Sequence, residues 1–348
     1  MENDYMQAES QHLDVCRRCR LQKEINDYDC TVVYKLVHSL LSVSHSIIII
    51  KMVLYCLMDE INGPTASLEN ARDFLFQKNL LKSSMSCPGC NAAMSLVPCS
   101  TSKSPDGLIW RCSPCKKYKN IRTDSALSGQ KIPLKTFIQL LFCLSIKGLS
   151  GIAVSQMTGL SENTVSDWKI YLHTRLADWL LANPSPLGGP GVIVEVDEAK
   201  FGKRKFNKGA YREGMWVLGG VDRNTGQCFL LPCPANRRGA EILLPLIRRW
   251  ILPGSIIYTD EWGAYNSLTA EGYTHGSVNH TYQFVDPQTG IHTNTQEGLW
   301  YHVKKSVVGT RDLELSLIDF MFKRRFNATG GPDQIVNCFN AYISVLTV

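Results

Sequence analysis

The chain has no long hydrophobic run, no leader-like start and no large excess of charge of either sign, and each absence removes a class of protein. Its most apolar stretch, IIIIKMVLYCLM at residues 47–58, is broken by Lys51 and falls short of the ~20 residues that a membrane-spanning helix needs. It reads as a buried helix or strand. The opening residues MENDYMQAES carry neither the basic nor the apolar stretch of a secretory leader. With 37 Lys and Arg against 31 Asp and Glu, a net charge of +6 is compatible with a nucleic-acid partner without demanding one. What the sequence does have is core: 44% hydrophobic residues in 348 suffice for two or three domains and exclude a disordered or fibrous chain.

Thirteen cysteines suggest a disulfide scaffold, but the length, the odd count and the missing leader point instead to a reducing intracellular compartment. Residues 1–67 read as an N-terminal extension of no assigned role; its Cys16-x-x-Cys19 pair lacks a second pair, since Cys30 stands alone. Residues 68–125 are more specific. Cys87-Pro-Gly-Cys90 and Cys112-Ser-Pro-Cys115 are two C-x-x-C knuckles at zinc-ribbon spacing, and four thiolates so placed favour a closed tetrahedral Zn²⁺ site that stabilises a module with little core. Two unrelated pairs or a redox dithiol are the alternative; Cys99, between the knuckles, is not counted as a ligand. Lys116, Lys117, Lys119 and Arg122 follow directly, as phosphate contacts or as a solvated basic face.

Over residues 130–182 the period turns helical. LKTFIQLLFCLSIKG gives one helix ended by Gly148; GIAVSQMTGL and SENTVSDWKIYLHTRLADWLL give a short helix, a turn and a longer helix opening at Ser161. That is a helix-turn-helix grammar, in which Glu162, Asn163, Thr164, Ser166, Asp167 and Lys169 lead into a major groove, although a plain three-helix packing unit has the same period. The Pro- and Gly-dense residues 183–191 read as a linker.

Residues 192–330 follow the order βββαβαβα: VIVEVD, GMWVLGGVD and QCFLLP as strands, with a hairpin at Asn224, Thr225 and Gly226; then a helix in RRGAEILLPLIRRWI, a strand in PGSIIYTD, a strand in VNHTYQFV, and a helix over residues 293–307 capped by Thr293 or Asn294. Three acids stand out. Asp197 and Asp260 end β-branched runs, where an acid is out of place unless paired or metal-bound, and Glu297 lies on the last helix, so the three can meet at one sheet edge. Hard oxygen ligands so grouped suit two Mg²⁺ or Mn²⁺ ions that clamp the attacking and leaving oxygens of a phosphodiester displacement. Glu198 and Glu261, the neighbours of the two aspartates, belong to other registers.

These phrases together, VDEAKFGKRKFNKG, TDEWGAY and HTNTQEGLWYHVKK with CPGC…CSPC and GLSENTVSDW, resemble DDE transposases, most closely the Merlin superfamily and its bacterial XO-two-like relatives, over residues 68–327. The resemblance implies an α/β fold, an RNase H-like (retroviral-integrase-like) catalytic core preceded by a zinc ribbon and a helix-turn-helix region. It implies cut-and-paste DNA transposition: cleavage at transposon ends, then attack of the freed 3′-hydroxyl on target DNA, with double-stranded DNA as partner and a homo-oligomer on it. Asp197, Asp260 and Glu297 would be the metal-binding triad, although some bacterial relatives carry Asn in place of Glu297; Asn294 and Lys304 match supporting polar positions. Lys203, Arg204, Lys205 and Lys208 form a basic loop suited to the DNA backbone, beside Asn163, Thr164 and Lys169. The expected setting is the nucleus in a eukaryote or the cytoplasm in a bacterium, with no membrane. Residues 331–348 carry no assigned role. A DNA-binding regulator derived from a transposase, and an RNase H-like nuclease that cuts without joining, remain as alternatives.

Overall fold

Small polar residues start most of the helices. In the computed structural model, which describes residues 63–202, 213–279, 285–307, 312–326 and 332–347, α1 (Leu68–Gln77) is opened by Ser67, whose hydroxyl oxygen accepts from the Asn70 N–H at 3.0 Å. The expectations for the apolar run at 47–58, for Cys16, Cys19 and Cys30, and for Lys203, Arg204, Lys205 and Lys208 fall outside the described residues. The remainder, Pro64–Val348, packs as one unit.

Three short antiparallel strands follow, β1 (Ser95–Pro98), β2 (Leu108–Arg111) and β3 (Tyr118–Asn120), with β2 in the middle. Within them only Ile109 and Trp110 are buried, too little apolar area to hold a sheet unaided. Arg122 supplies one fastening. Its guanidinium donates to both Asp106 oxygens at 2.6 Å and to the Gln130 and Ile132 carbonyls at 3.0 and 2.7 Å. This corrects the reading of Arg122 as a phosphate contact: the side chain is buried and its donors are committed inside the protein. Lys119 is likewise paired, with Asp124 at 3.6 Å.

The helical region runs α2 (Leu134–Ser145), α3 (Gly151–Thr158) and α4 (Glu162–Ala182). Ser150 and Ser161 cap α3 and α4 by accepting from Ala153 N and Thr164 N, each at 3.1 Å, and Gly159 ends α3 at a φ of +70°. α2 stops at Ser145 rather than at Gly148, because Ile146 turns extended and buries its side chain. The 183–191 segment is pinned down: β4 (Leu187–Gly188) pairs in parallel with β8 (Ile251–Leu252), and Gly189 N donates to Ser255 Oγ at 2.8 Å.

The main sheet is built from β5 (Ile193–Phe201), β6 (Met215–Asp222), β7 (Cys228–Pro232), β9 (Ile256–Asp260) and β10 (Thr274–Val278), in the order β10-β9-β5-β6-β7. β5, β6 and β7 form an antiparallel meander, whose hairpin is fixed by the Asp222 carboxylate accepting from Asn224 N and Thr225 N. The chain crosses over through α5 (Ala240–Trp250) and returns as β9, parallel to β5, with β10 parallel beyond it. This mixed order is the RNase H-like core. Of the strand expected at 278–285, residues 280–284 are outside the described residues, and the last strand described in the sheet is β10. It is THGSV, a half-exposed polar edge strand recruited by pairing with β9, and so it carries no apolar alternation to find.

α6 (Asn294–Val307) and α7 (Leu313–Phe326) cover one face of the sheet, and α5 with a 3₁₀ turn at Gly263–Tyr265 covers the other. α8 (Pro332–Leu346) was not expected from the sequence. With α7 it packs back onto the helical region: Phe322 meets both Trp179 and Tyr342, at 5.4 and 5.2 Å between ring centres, and Phe339 meets Phe142 at 5.6 Å. No helix among the described residues is long and apolar enough to cross a membrane.

Candidate active site and thiol cluster

Parallel pairing of β5 with β9 sets Ile193 opposite Ile256, Val194 opposite Ile257 and Glu195 opposite Tyr258. Carried on in the same register, it places Asp197 beside Asp260, and side chains in register share a face of the sheet. Each carboxylate is oriented by a donor. The Trp300 indole N–H donates to Asp197 Oδ2 at 2.9 Å, and Trp262 N donates to Asp260 Oδ1 at 3.0 Å. Donors of this kind fix the direction in which a carboxylate presents its remaining oxygen, as the outer shell of a metal site does.

α6 brings the third acid. Glu297, Trp300 and Lys304 follow one helical stripe, with Glu297 and Lys304 exposed and Trp300 buried over β5 and β6. Among the described residues the three acids do not close into a metal-sized cluster; only the four thiols do. Asn294 lies exposed at the first turn of α6 and, with its N–H, faces His292 Nδ1 at 3.4 Å.

Three features of this arrangement were not anticipated. Glu195, fully buried two residues before Asp197 and so on the same face, accepts from Gln296 N at 2.8 Å and pairs with Arg223 at 2.5 Å. Arg223 reaches on to the His292 carbonyl at 2.8 Å and lies over the Tyr258 ring. Glu195 thus ties the first turn of α6 to the strand that bears Asp197; the E-x-D spacing in VIVEVD was the available signal. Gly219 sits opposite Asp197 across β5 and β6, and a Cβ there would strike the Gln296 amide and lie 2.6 Å from two Trp300 ring carbons. Its missing side chain is the space that α6 occupies. Gly219→Ala is therefore expected to cost about 1–3 kcal/mol by overpacking and to displace the indole from Asp197. Chemical denaturation of the purified variant measures this; a midpoint equal to wild type would refute the close fit.

Glu198 is the third. It points to the opposite face, buried beside Tyr265, whose hydroxyl is turned toward its carboxylate. Burial first, and then the negative charges of Asp197 and Asp260, push its carboxyl up to about 7. Glu261, by contrast, is exposed and accepts from Asn279 Nδ2 at 2.5 Å. Arg238 lies between the Trp216 and Trp262 rings, 4.4 and 4.2 Å from their centres.

In the thiol cluster, Cys87 and Cys90 precede β1, and Cys112 and Cys115 lie between β2 and β3. All four sulfurs fall within 4.8 Å of one another, comparable with the roughly 3.8 Å edge of a tetrahedron of 2.3 Å Zn–S bonds. Backbone N–H groups turn toward the sulfurs, Gly89 N at 3.4 Å from Cys87 and Cys115 N at 3.5 Å from Cys112. The Gly89 N–H is the main reason why the Cys87 thiol falls to about 6, while the crowding of Cys90 and burial push Cys115 up to about 12. The donor set thus holds protons that a soft divalent cation would displace.

Of the helix-turn-helix residues, Asn163 is exposed and Thr164 is half-buried at the start of α4; Lys169, a turn further on, is half-buried against α7, where burial and then Lys323 lower its pKa against the pull of Asp319.

Residues 186–312 match the ISXO2-like transposase domain. A curated "Uncharacterized transposase-like protein" of Haemophilus influenzae is 35% identical over 63 residues, which are 18% of this chain and 50% of that protein, so the chain spans about half the length of this relative. Among solved structures, the HTLV-2 integrase catalytic core domain in complex with magnesium aligns at 13% identity over 40% of this chain and 88% of its own, with a TM-score of 0.28. The BIV integrase core aligns at 15% identity over 40% and 85%, with a TM-score of 0.27, and the Mos1 strand transfer complex at 11% over 60% and 77%, with a TM-score of 0.19. Residues 186–312 are thus similar to a transposase domain.

Proposed function

We propose that the transposase domain at residues 186–312 cuts DNA at transposon ends and joins the freed ends to target DNA, using Asp197, Asp260 and Glu297 as its metal-binding acids. The observation that carries this reading is the β5–β9 register, which sets Asp197 beside Asp260 under a helix that bears Glu297. Asp and Glu oxygens of this kind suit Mg²⁺ or Mn²⁺, which when bound would supply Lewis acidity at the attacking and leaving oxygens. The protein's own part is positional. Trp300 and Trp262 aim the two aspartates, Glu195 and Arg223 hold the first turn of α6, and Lys304, one stripe-step from Trp300, faces solvent where a DNA phosphate would lie. Cys87, Cys90, Cys112 and Cys115 would hold one structural Zn²⁺. Asn163 and Thr164 at the exposed start of α4 would read base edges, and a homo-oligomer would assemble on paired ends.

The test is a cutting and joining assay on duplexes that carry the terminal repeats flanking the gene. It uses the full chain, because a fragment begun at Gly191 would strip Phe322 and Phe339 of their partners on α4 and α2. Cutting followed by joining is expected. Cutting alone would identify a nuclease, and binding alone a regulator. Asn163→Ala is expected to keep overall affinity while narrowing the gap between repeat and random duplexes by about 1–3 kcal/mol, read from competition binding. An unchanged gap would remove α4 from sequence readout.

A further inference from the structure

A cavity of about 370 Å³ opens between the helical region and the two helices that cover the sheet, and its walls are unusually cationic. Lys147 and Lys169 line it from one side, and Lys305, at the C-terminal end of α6, with Lys323 and Arg324 of α7, from the other. The one carboxylate in the wall, Asp319, is already committed: Lys323 Nζ lies at 3.0 Å, His173 Nε2 at 3.3 Å, and the Tyr342 hydroxyl donates to it at 2.6 Å. Although burial opposes ionisation, Lys323 and His173 hold Asp319 well below the usual carboxylate range. Lys147, Lys169, Lys305 and Arg324 make no ion pair with a carboxylate among the described residues.

Cations gathered around a single, already committed carboxylate repel one another, and removal from water adds to the cost. Burial and then Arg324 lower the pKa of Lys147, and burial lowers that of Lys169, with Asp319 pulling the other way and Lys323 adding to the fall. Ser150 and Gly151, at the start of α3, complete the wall and add the partial positive charge of a helix N-terminus. A multivalent oxyanion answers all of these features together.

We propose that this cavity seats a backbone phosphate of the DNA strand that runs from α4 to the catalytic acids, an assignment that rests on the function proposed above. Its position favours DNA over a free ion. Lys169 lies on the helix whose start bears Asn163 and Thr164, and Lys305 lies on the helix whose other end bears Glu297, about 12 Å away at 1.5 Å per residue. At 3.4 Å per nucleotide along the duplex axis, the seated phosphate is some three or four nucleotides from the bond to be cut. The cavity thereby sets the distance between the sequence that is read and the bond that is broken.

The experiment measures binding of the full chain to a terminal-repeat duplex as a function of salt, for wild type, Lys147→Gln and Lys305→Gln, with exposed Lys82→Gln as control. Loss of one phosphate contact lowers the slope of log K against log salt by about 0.9, which is roughly tenfold in affinity at 0.1 M salt. Both cavity variants are expected to show that loss, and Lys82→Gln none. Lys305→Gln changes an exposed side chain at a helix end, and so decides the matter if Lys147→Gln fails to fold. A methylphosphonate placed three or four nucleotides from the cut is expected to weaken wild type and to leave the cavity variants unaffected. Slopes in both cavity variants equal to that of a wild type that cuts DNA overturn the cavity alone. A reduced slope in a chain that binds but never cuts leaves the cavity standing and overturns the proposed activity. If inorganic phosphate raises the melting temperature of wild type but not of Lys305→Gln, while the DNA slopes stay equal, the cavity holds a free ion and the DNA assignment is wrong.

Discussion

Alanine at Asp197, Asp260 or Glu297 is expected to lower strand cleavage by about a thousandfold or more while leaving DNA binding within a fewfold of wild type. Metal assistance contributes several kcal/mol to such a displacement, and each 1.36 kcal/mol is a factor of ten in rate. The surfaces proposed to contact DNA are elsewhere, on α4 and in the cationic cavity, so affinity should survive. A second readout is independent of turnover: negative charges crowded at Asp197 and Asp260 repel, and a cation at a hundredfold its Kd stabilises the folded state by about 2.7 kcal/mol. The melting temperature of wild type should rise with Mg²⁺ or Mn²⁺, and that of Asp260→Ala should not. The fitting control is Glu261→Ala, because Glu261 is exposed and accepts a hydrogen bond from Asn279, just beyond the edge strand. Glu198 does not serve: its carboxyl is buried beneath the catalytic face, and its removal leaves a hole against Tyr265. Robust cleavage by Asp260→Ala would show that the wrong carboxylates have been chosen.

Cys112→Ser is expected to take zinc content from about one ion per chain to near zero, because a closed tetrahedral site tolerates no missing thiolate. The loss should spread. β1, β2 and β3 bury little beyond Ile109 and Trp110, so their other fastening is Arg122, which links Asp106 to the carbonyls before α2. Limited proteolysis is expected to open residues 85–120 first, with Trp110 fluorescence shifting to the red. Metal analysis decides it: full zinc content in the variant removes Cys112 from the ligand set.

Much of this was legible because the signals were local. The C-x-x-C knuckles, the serine caps at Ser150 and Ser161, and the β-branched runs before Asp197 and Asp260 each state their element within a few residues. What was not legible depended on partners distant in the chain. THGSV becomes a strand only because β9 is there to pair with it, Gly219 matters only because Trp300 arrives from another element, and Arg122 looks like surface charge until Asp106 is placed beside it. α8 went unassigned because its apolar face answers to α2, α4 and α7 rather than to the core that follows the linker.

The pairing of β5 with β9 also bears on when the proposed cutting site is assembled. Asp197 and Asp260 become neighbours only after β6, β7 and α5 have been made and the chain has crossed back, a non-local closure of the kind that forms slowly. During synthesis, α1 to α4 emerge and can fold well before the two aspartates meet, and Glu297 is added later still. A chain abandoned on the ribosome before β9 thus holds the helices proposed to read DNA but not the site proposed to cut it. On the proposed function, the order of translation delays cutting until nearly the whole protein exists.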